Sequence, residues 1–404
     1  MTTEQQSPIP EAQDDFPSLL AWLMKHREEN PVLPDTFPGV WHVFRHDDVS
    51  RVLSDTATYS NDMSAVIPTH PDTAWMAKGN VVLMDPPMHR RLRSLVSKAF
   101  TPRLVAGLEP RITELATALL DGVAGQDRFD LVEAVTHPLP VFVIAELLGI
   151  PVADRALFEK WALAFIAANG GGESALPSEA NVLAFVETAR EMRAYMLEYV
   201  GRRRAEPQDD LISQLATAHT EDGQLDDDEI IGFAGTLLMA GHITTTAVLG
   251  STVLCLDENP AALAALRHDR SLVPAAIEEA VRLRPAFSRL VRMTTRESEI
   301  AGVTIPAGQV LTLWTVSANR DPERFEAPDA FDLHRDQGRH LGFGQGLHFC
   351  MGAPLARLEA RIVLNLLLDR FPELRVAPGD DSVAYHHPKN VVGPHRLTVE
   401  VTTA

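Results

Sequence analysis

The sequence predicts a mainly α-helical protein with a minor β region, folded as one domain. Three observations lead there: helix-forming segments dominate the chain, strand-like runs cluster in small patches, and no repeat, low-complexity tract or clear linker divides it. Composition agrees. The 404 residues are 45% hydrophobic and 23% charged, close to globular averages. Thirty-six basic against fifty-five acidic side chains leave a net charge of −19, which argues against nucleic-acid binding and against docking on anionic lipid. With only Cys255 and Cys350, the chain has no disulfide framework.

The elements follow in order. The polar, acidic start is expected to be disordered over residues 1–15, leaving 16–404 as the single domain. It lacks the basic and apolar regions of a secretory leader, so the expected address is the cytoplasm. A helix is expected from Pro17 to Arg27, a strand over Val40–Phe44 and a short helix from His46 to Asp55. Turn formers make residues 57–84 a long loop, a kind that is usually functional. Helices are then expected over Met88–Phe100, Pro102–Val123, Leu131–Leu148 and Val152–Ala168, and, after Gly170-Gly171-Gly172, over Ser178–Arg204.

After a short helix from Asp210, a long one runs from Asp226 to Asp257, roughly 48 Å at 1.5 Å per residue. Gly232 to Leu256 carries no Asp, Glu, Lys or Arg, a length that could span a bilayer. Acidic residues flank it on both sides and threonines interrupt it, so a buried central helix is the expectation and a membrane span is not. Helices near 260–268 and 272–284 follow, then strands over Glu299–Ile305 and Val310–Val316 and an irregular stretch from Asn319 to Arg339. A helix from Pro354 to Phe371 precedes β-type segments.

The strongest chemical signal is Phe343-Gly344-Gln345-Gly346-Leu347-His348-Phe349-Cys350-Met351-Gly352. Its glycines permit a tight turn and close approach to a flat ligand. Cys350 falls at the mouth of a helix, where the dipole and N–H donors stabilise a thiolate, giving a nucleophile or a metal ligand. Four further segments stand out: Asp85-Pro86-Pro87-Met88-His89, Ala240-Gly241-His242-Ile243-Thr244-Thr245, Glu279-Ala280-Val281-Arg282 and Ala318-Asn319-Arg320-Asp321-Pro322.

Together, in this order, they resemble the signatures of the cytochrome P450 monooxygenases over nearly the whole chain. The cysteine segment is similar to the family's haem-binding loop, F-G-x-G-x-H-x-C-x-G, with every fixed position matched. The resemblance implies the P450 fold, a single triangular-prism domain. It also implies haem b (iron protoporphyrin IX), with Cys350 as the iron ligand and Phe343 and Gly352 shaping its loop. His89, Arg93, Arg292 and His348 would meet the two haem propionates; His89 and Arg93 lie four apart and share a helix face. Ala240, Gly241 and Thr244 match the oxygen groove. A thiolate-ligated haem activates dioxygen with two electrons, and the protein sets access, proton delivery and substrate pose.

Two departures matter. Ile243 stands where the family usually has an acid, a variation similar to that of actinobacterial macrolide and polyketide hydroxylases. In the family's third partner motif for Glu279 and Arg282, Pro328-Asp329-Ala330-Phe331 has alanine in place of arginine, leaving Arg324 or Arg335 to complete the buried pair. The adjacent His386 and His387 read as loop. The pocket segments hold Met63, Val66, Ile67, Met76, Phe165, Phe287, Leu290 and Val391, which suits a large, mostly apolar ligand.

The expected function is hydroxylation or epoxidation of a macrolide- or polyketide-like small molecule by a monomer, with electrons from a ferredoxin and ferredoxin reductase. Arg90, Arg91, Lys98 and Arg103 would offer the ferredoxin a basic patch. A peroxide-driven peroxygenase and a non-catalytic haem-binding or partner-recruiting protein are the alternatives; Gly241 with Thr244 disfavours the first, and Thr244 with Cys350 the second.

Overall fold

Residues Asp227–Glu258 form a 32-residue helix that the other elements surround. The computed structural model describes residues 15–66, 70–97, 102–168, 179–220, 223–336 and 340–402; residues 1–14, Ile67, Lys98 and the Gly170-Gly171-Gly172 connection lie outside these. The central helix begins at a reciprocal cap. Asp226 accepts from the Glu229 N–H at 2.7 Å, and Glu229 accepts from the Asp226 N–H at 2.9 Å, an arrangement that contributes about 1 kcal/mol. From Glu229 to Leu256 every residue is buried except Met239, Ala240, Gly241 and Thr244. The helix is long and apolar enough to cross a membrane, but 78% of its most apolar window is buried inside the protein, so it is a core helix.

Its neighbours are packed closely. The stretch 57–84, expected as a loop, contains the helix Ala74–Gly79, which lies across the central helix. A Cβ on Gly79 would stand 2.0 Å from the Phe233 nitrogen, and one on Gly232 would stand 2.7 Å from the Gly79 nitrogen. Two glycines thus let the backbones touch, a use of glycine that turn-forming propensity hides. The segment expected as one helix over Leu131–Leu148 is a π-turn, Val132–Thr136, followed by the helix Pro138–Leu148. The prolines at 138 and 140 remove donors there, and the freed Thr136 carbonyl accepts from Thr246 Oγ1 at 2.9 Å. The expected Pro102–Val123 helix likewise divides into Pro102–Gly107 and Glu109–Asp121.

The minor β region comprises a five-stranded sheet in the order Val32–Pro34, Val40–Val43, Val310–Leu313, Leu290–Thr294 and Tyr59–Ser60. Only the pairing of Val40–Val43 with Val310–Leu313 is parallel. This sheet carries Arg292 toward the site. A second sheet joins Glu373–Val376, Pro394–Thr402, Val383–Tyr385 and Arg128–Asp130. Leu290–Thr294 and Arg128–Asp130 were not expected as strands; each is short and finds its definition in its partners. His386 and His387 are in a loop, as expected, but are buried.

Candidate functional site

The Cys350 loop is shaped by glycine. Gly344 and Gly346 both have φ of +70°, the left-handed region that favours glycine. At Gly346 a side chain would also press on the chain below, with Cβ 3.0 Å from the Leu53 carbonyl oxygen and 3.2 Å from the Ser54 Cα. The Cys350 N–H donates to the Phe343 carbonyl at 2.9 Å, closing the loop on itself. The helix Ala353–Arg370 follows at once. The N–H groups of Gly352 and Ala353 are bonded to the Cys350 sulfur; burial pushes the thiol up, while these donors and the Arg93 and Arg357 guanidinium groups pull it back.

The structure brings the expected basic residues together. His89, on the helix Met88–Val96, is fully buried, and its ring lies 4.3 Å from that of His348. Arg93 donates to the Phe349 carbonyl at 2.7 Å, and Arg292 reaches the Val291 carbonyl at 2.7 Å. Both ring nitrogens of His89, Nε2 of His348 and Nε of Arg292 are buried with no hydrogen-bond partner. Burial, followed by the neighbouring cations, lowers His89 to about 4 and His348 to about 3, and burial lowers Arg292 to about 10. Asp85, the carboxylate that acts on His89 and Arg292, is held by Ser60 and by the Asn61 N–H at 3.0 Å. Buried polar nitrogens without partners are costly, and the Arg292 Nε–H together with one N–H from each imidazole suits this cluster to an anionic group.

On the central helix, Ala240 and Thr244 are one turn apart on its accessible strip. The Thr244 hydroxyl donates to the Ala240 carbonyl at 2.5 Å, which leaves its lone pairs free to accept. Gly241 faces the neighbouring helix, where a Cβ would stand 2.8 Å from Ile144 Cδ1; its smallness sets helix packing beside the strip. His242 points elsewhere, with Nε2 2.9 Å from His137 Nδ1, and burial lowers it to about 3. Ile243 is buried.

The third partner of the Glu279–Arg282 pair is Arg335. Its Nε donates to Glu279 Oε1 at 2.9 Å, and the Asp332 N–H donates to the same oxygen at 3.0 Å. Arg282 bonds both Glu279 oxygens, at 2.7 and 2.8 Å, and reaches the carbonyls of Asn319, Pro328 and Ala330. Arg324 is exposed. In the expected basic patch, Arg90 and Arg103 are exposed, but Arg91 is paired with Glu229 and the Gln224 carbonyl, so it belongs to the central helix's cap. Sequence reasoning missed a second network beside the loop, Glu278 with Arg357 and His340. Glu278 immediately precedes the matched Glu279-Ala280-Val281-Arg282 segment, and its partners at 340 and 357 are far away in sequence.

A cysteine on a glycine-turned loop, a cradle of buried unpaired nitrogens and an accessible strip on a buried helix together form a site suited to an anionic prosthetic group. Comparison with known proteins supplies its identity. Residues 181–400 match the family model "Cytochrome P450". The chain is 42% identical to the cyclomarin C epoxidase of Salinispora arenicola and 44% identical to the erythromycin C-12 hydroxylase of Saccharopolyspora erythraea, with 95% of each chain covered in both cases. A solved structure of a P450 EryK mutant in complex with erythromycin B superposes with a TM-score of 0.86 at 42% identity, covering 96% of this chain and 97% of that one. The chain belongs to the cytochrome P450 family and is a haem-dependent monooxygenase. The residues present fit the group: Arg292 Nε–H and the one N–H that each neutral imidazole carries are donors that propionates would satisfy.

Proposed function

We propose that the enzyme inserts one atom of dioxygen, by hydroxylation or epoxidation, into a macrolide- or polyketide-like natural product. It works as a cytoplasmic monomer supplied by a ferredoxin and its reductase. Cys350 would be the iron ligand, in a loop whose shape depends on Phe343 and Gly352. His89, Arg93, Arg292 and His348 would hold the propionates. The haem, when bound, supplies oxygen activation and transfer. Ala240 and Thr244 would line the oxygen groove, with Gly241 setting the helix packing beside them, and the Thr244 oxygen would accept a hydrogen bond and fix a water. Because Ile243 has no donor or acceptor and His242 is turned to His137, protons reach the groove through water organised by the bound substrate.

The observation that carries the substrate class is the likeness, at 42–44% identity over 95% of the chain, to enzymes named for cyclomarin C epoxidation and erythromycin C-12 hydroxylation. The pocket segments are compatible with it: Met63, Phe165 and Val391 are buried apolar residues, and the Phe287 side chain stays exposed beside its backbone bridge to Val391. The test is a ligand screen that follows the haem absorption band for displacement of water. Macrolides or their aglycones should shift the band more strongly than fatty acids or small terpenes; the reverse order would reject the substrate class.

A further inference from the structure

Two adjacent carboxylates on the helix Val273–Leu283 divide the support of the cysteine loop between them. Glu279 turns to Arg282 and Arg335, as described. Glu278 turns the other way, toward the loop. It accepts from Arg357 Nε at 2.5 Å and Nη2 at 2.8 Å, one oxygen each, and its Oε2 lies 3.1 Å from His340 Nε2. The Gly342 N–H donates to His340 Nδ1 at 3.1 Å. That bond places the imidazole proton on Nε2, so His340 donates to Glu278.

The chain positions of these partners matter. His340 and Gly342 enter the loop just before Phe343, while Arg357 lies near the start of the helix that leaves it. One carboxylate therefore grips both flanks of the segment that presents Cys350. The Arg357 guanidinium also lies 4.4 Å from the Phe343 ring centroid, fixing the residue whose carbonyl receives the Cys350 N–H. Gly342 seals the same contact, since a Cβ there would stand 2.8 Å from the Val281 carbonyl oxygen. Arg357 is near enough for its charge to act on the Cys350 sulfur. Paired with Glu278, that cation is largely balanced; unpaired, it would not be.

We propose that Glu278 is a positioning residue for Cys350, clasping the two ends of its loop and balancing the Arg357 charge that faces the sulfur. The proposal rests on the reading of Cys350 as the haem ligand. It makes a signed prediction, because the two members of the ion pair carry opposite charges. Glu278→Gln leaves an uncompensated cation near the sulfur, which favours the reduced haem and raises its reduction potential. Arg357→Gln leaves an uncompensated anion and lowers it. Mere loosening of the loop would move both variants the same way.

The experiment uses the full-length, haem-loaded protein and measures the reduction potential together with the thiolate band of the reduced carbon monoxide complex. Expected are potentials displaced in opposite directions by Glu278→Gln and Arg357→Gln, with Glu278→Asp between Glu278→Gln and the parent. In mild denaturant the thiolate band should decay severalfold faster in Glu278→Gln. Shifts of the same sign, or no shift in either variant, would overturn the proposal. If Glu278→Gln does not load haem, His340→Gln, which removes one of the three bonds, is measured instead; faster decay of its band supports the clasp, and decay at the parent rate rejects it. Cys350→Ala separates the two readings. A thiolate band that survived that change would remove the ligand assignment itself, whereas unmoved potentials in a Cys350-dependent spectrum would remove only the role of Glu278.

Discussion

Thr244 is placed to accept, because its own hydroxyl proton is already committed to the Ala240 carbonyl. With no acid at position 243, this hydroxyl is the polar side chain on the accessible strip of the central helix. Thr244→Ala should therefore release peroxide at the expense of product, lowering product formed per electron pair severalfold, while haem and substrate binding persist. His242→Ala should leave that coupling nearly intact and act on stability, because His137 loses its buried partner, a cost of about 1–3 kcal/mol. Assays of peroxide and product against reductant consumed, alongside thermal melts, distinguish these outcomes; full coupling in Thr244→Ala would refute the groove assignment. The two cysteines make a similar contrast. Cys350→Ala should abolish the thiolate band of the reduced carbon monoxide complex. Cys255 is buried beside Arg284, Glu258 and Arg320, its thiol pushed up to about 11 chiefly by that burial, so Cys255→Ala should keep the band and cost about 1 kcal/mol in stability.

At the level of elements, the Glu279 triad joins the Val273–Leu283 helix to the irregular stretch before the loop. Glu279 is fully buried, and taking Arg335 away leaves its carboxylate short of one charge partner. Arg335→Ala should destabilise the protein by about 3 kcal/mol and speed haem loss, whereas Arg324→Ala should be near neutral. Melting temperature and haem transfer to apomyoglobin measure both effects, and equal effects of the two changes would refute Arg335 as the third partner. This partner shows where reading the sequence stops. Glu279, Arg282 and the Cys350 loop were legible because short, fixed spacings carry their chemistry, and the central helix was legible from its charge-free run and acidic flanks. Arg335 was one of two open choices, since a side chain arriving from an irregular stretch has no periodicity to place it. The helix Ala74–Gly79 is hidden in the sequence because glycine is a turn signal locally and a close-packing device only once the central helix is beside it. Arg91 looked like a surface cation for the same reason: Glu229, its partner, lies far away in sequence.

For the molecule as a whole, the strongly acidic balance and the few charges among the described pocket residues bear on substrate choice. Arg289 is the charged side chain in the segment 285–291, the candidate to grip a carboxylate. Its guanidinium instead lies 5.6 Å from the Trp314 ring centroid and donates to Asn390 at 3.3 Å, and Trp314 is fully buried in the cluster with Phe44 and Trp22. Arg289→Ala should therefore weaken packing rather than carboxylate recognition, so fatty-acid affinity, read from the haem band, should change less than twofold. Tight fatty-acid binding that vanished in this variant would overturn both the prediction and the substrate class.

The glycine crossing of Ala74–Gly79 with the central helix has a practical consequence for remodelling this enzyme. With the backbones in contact at Gly79 and Gly232, part of the pocket wall, Met76 included, is tied closely to the helix that carries Ala240 and Thr244. A chimera that exchanged residues 61–84 as a cassette would carry that joint with it and risk displacing Ala240 and Thr244. Cutting instead before Ala74 leaves the joint native and confines the exchange to the stretch free to diversify.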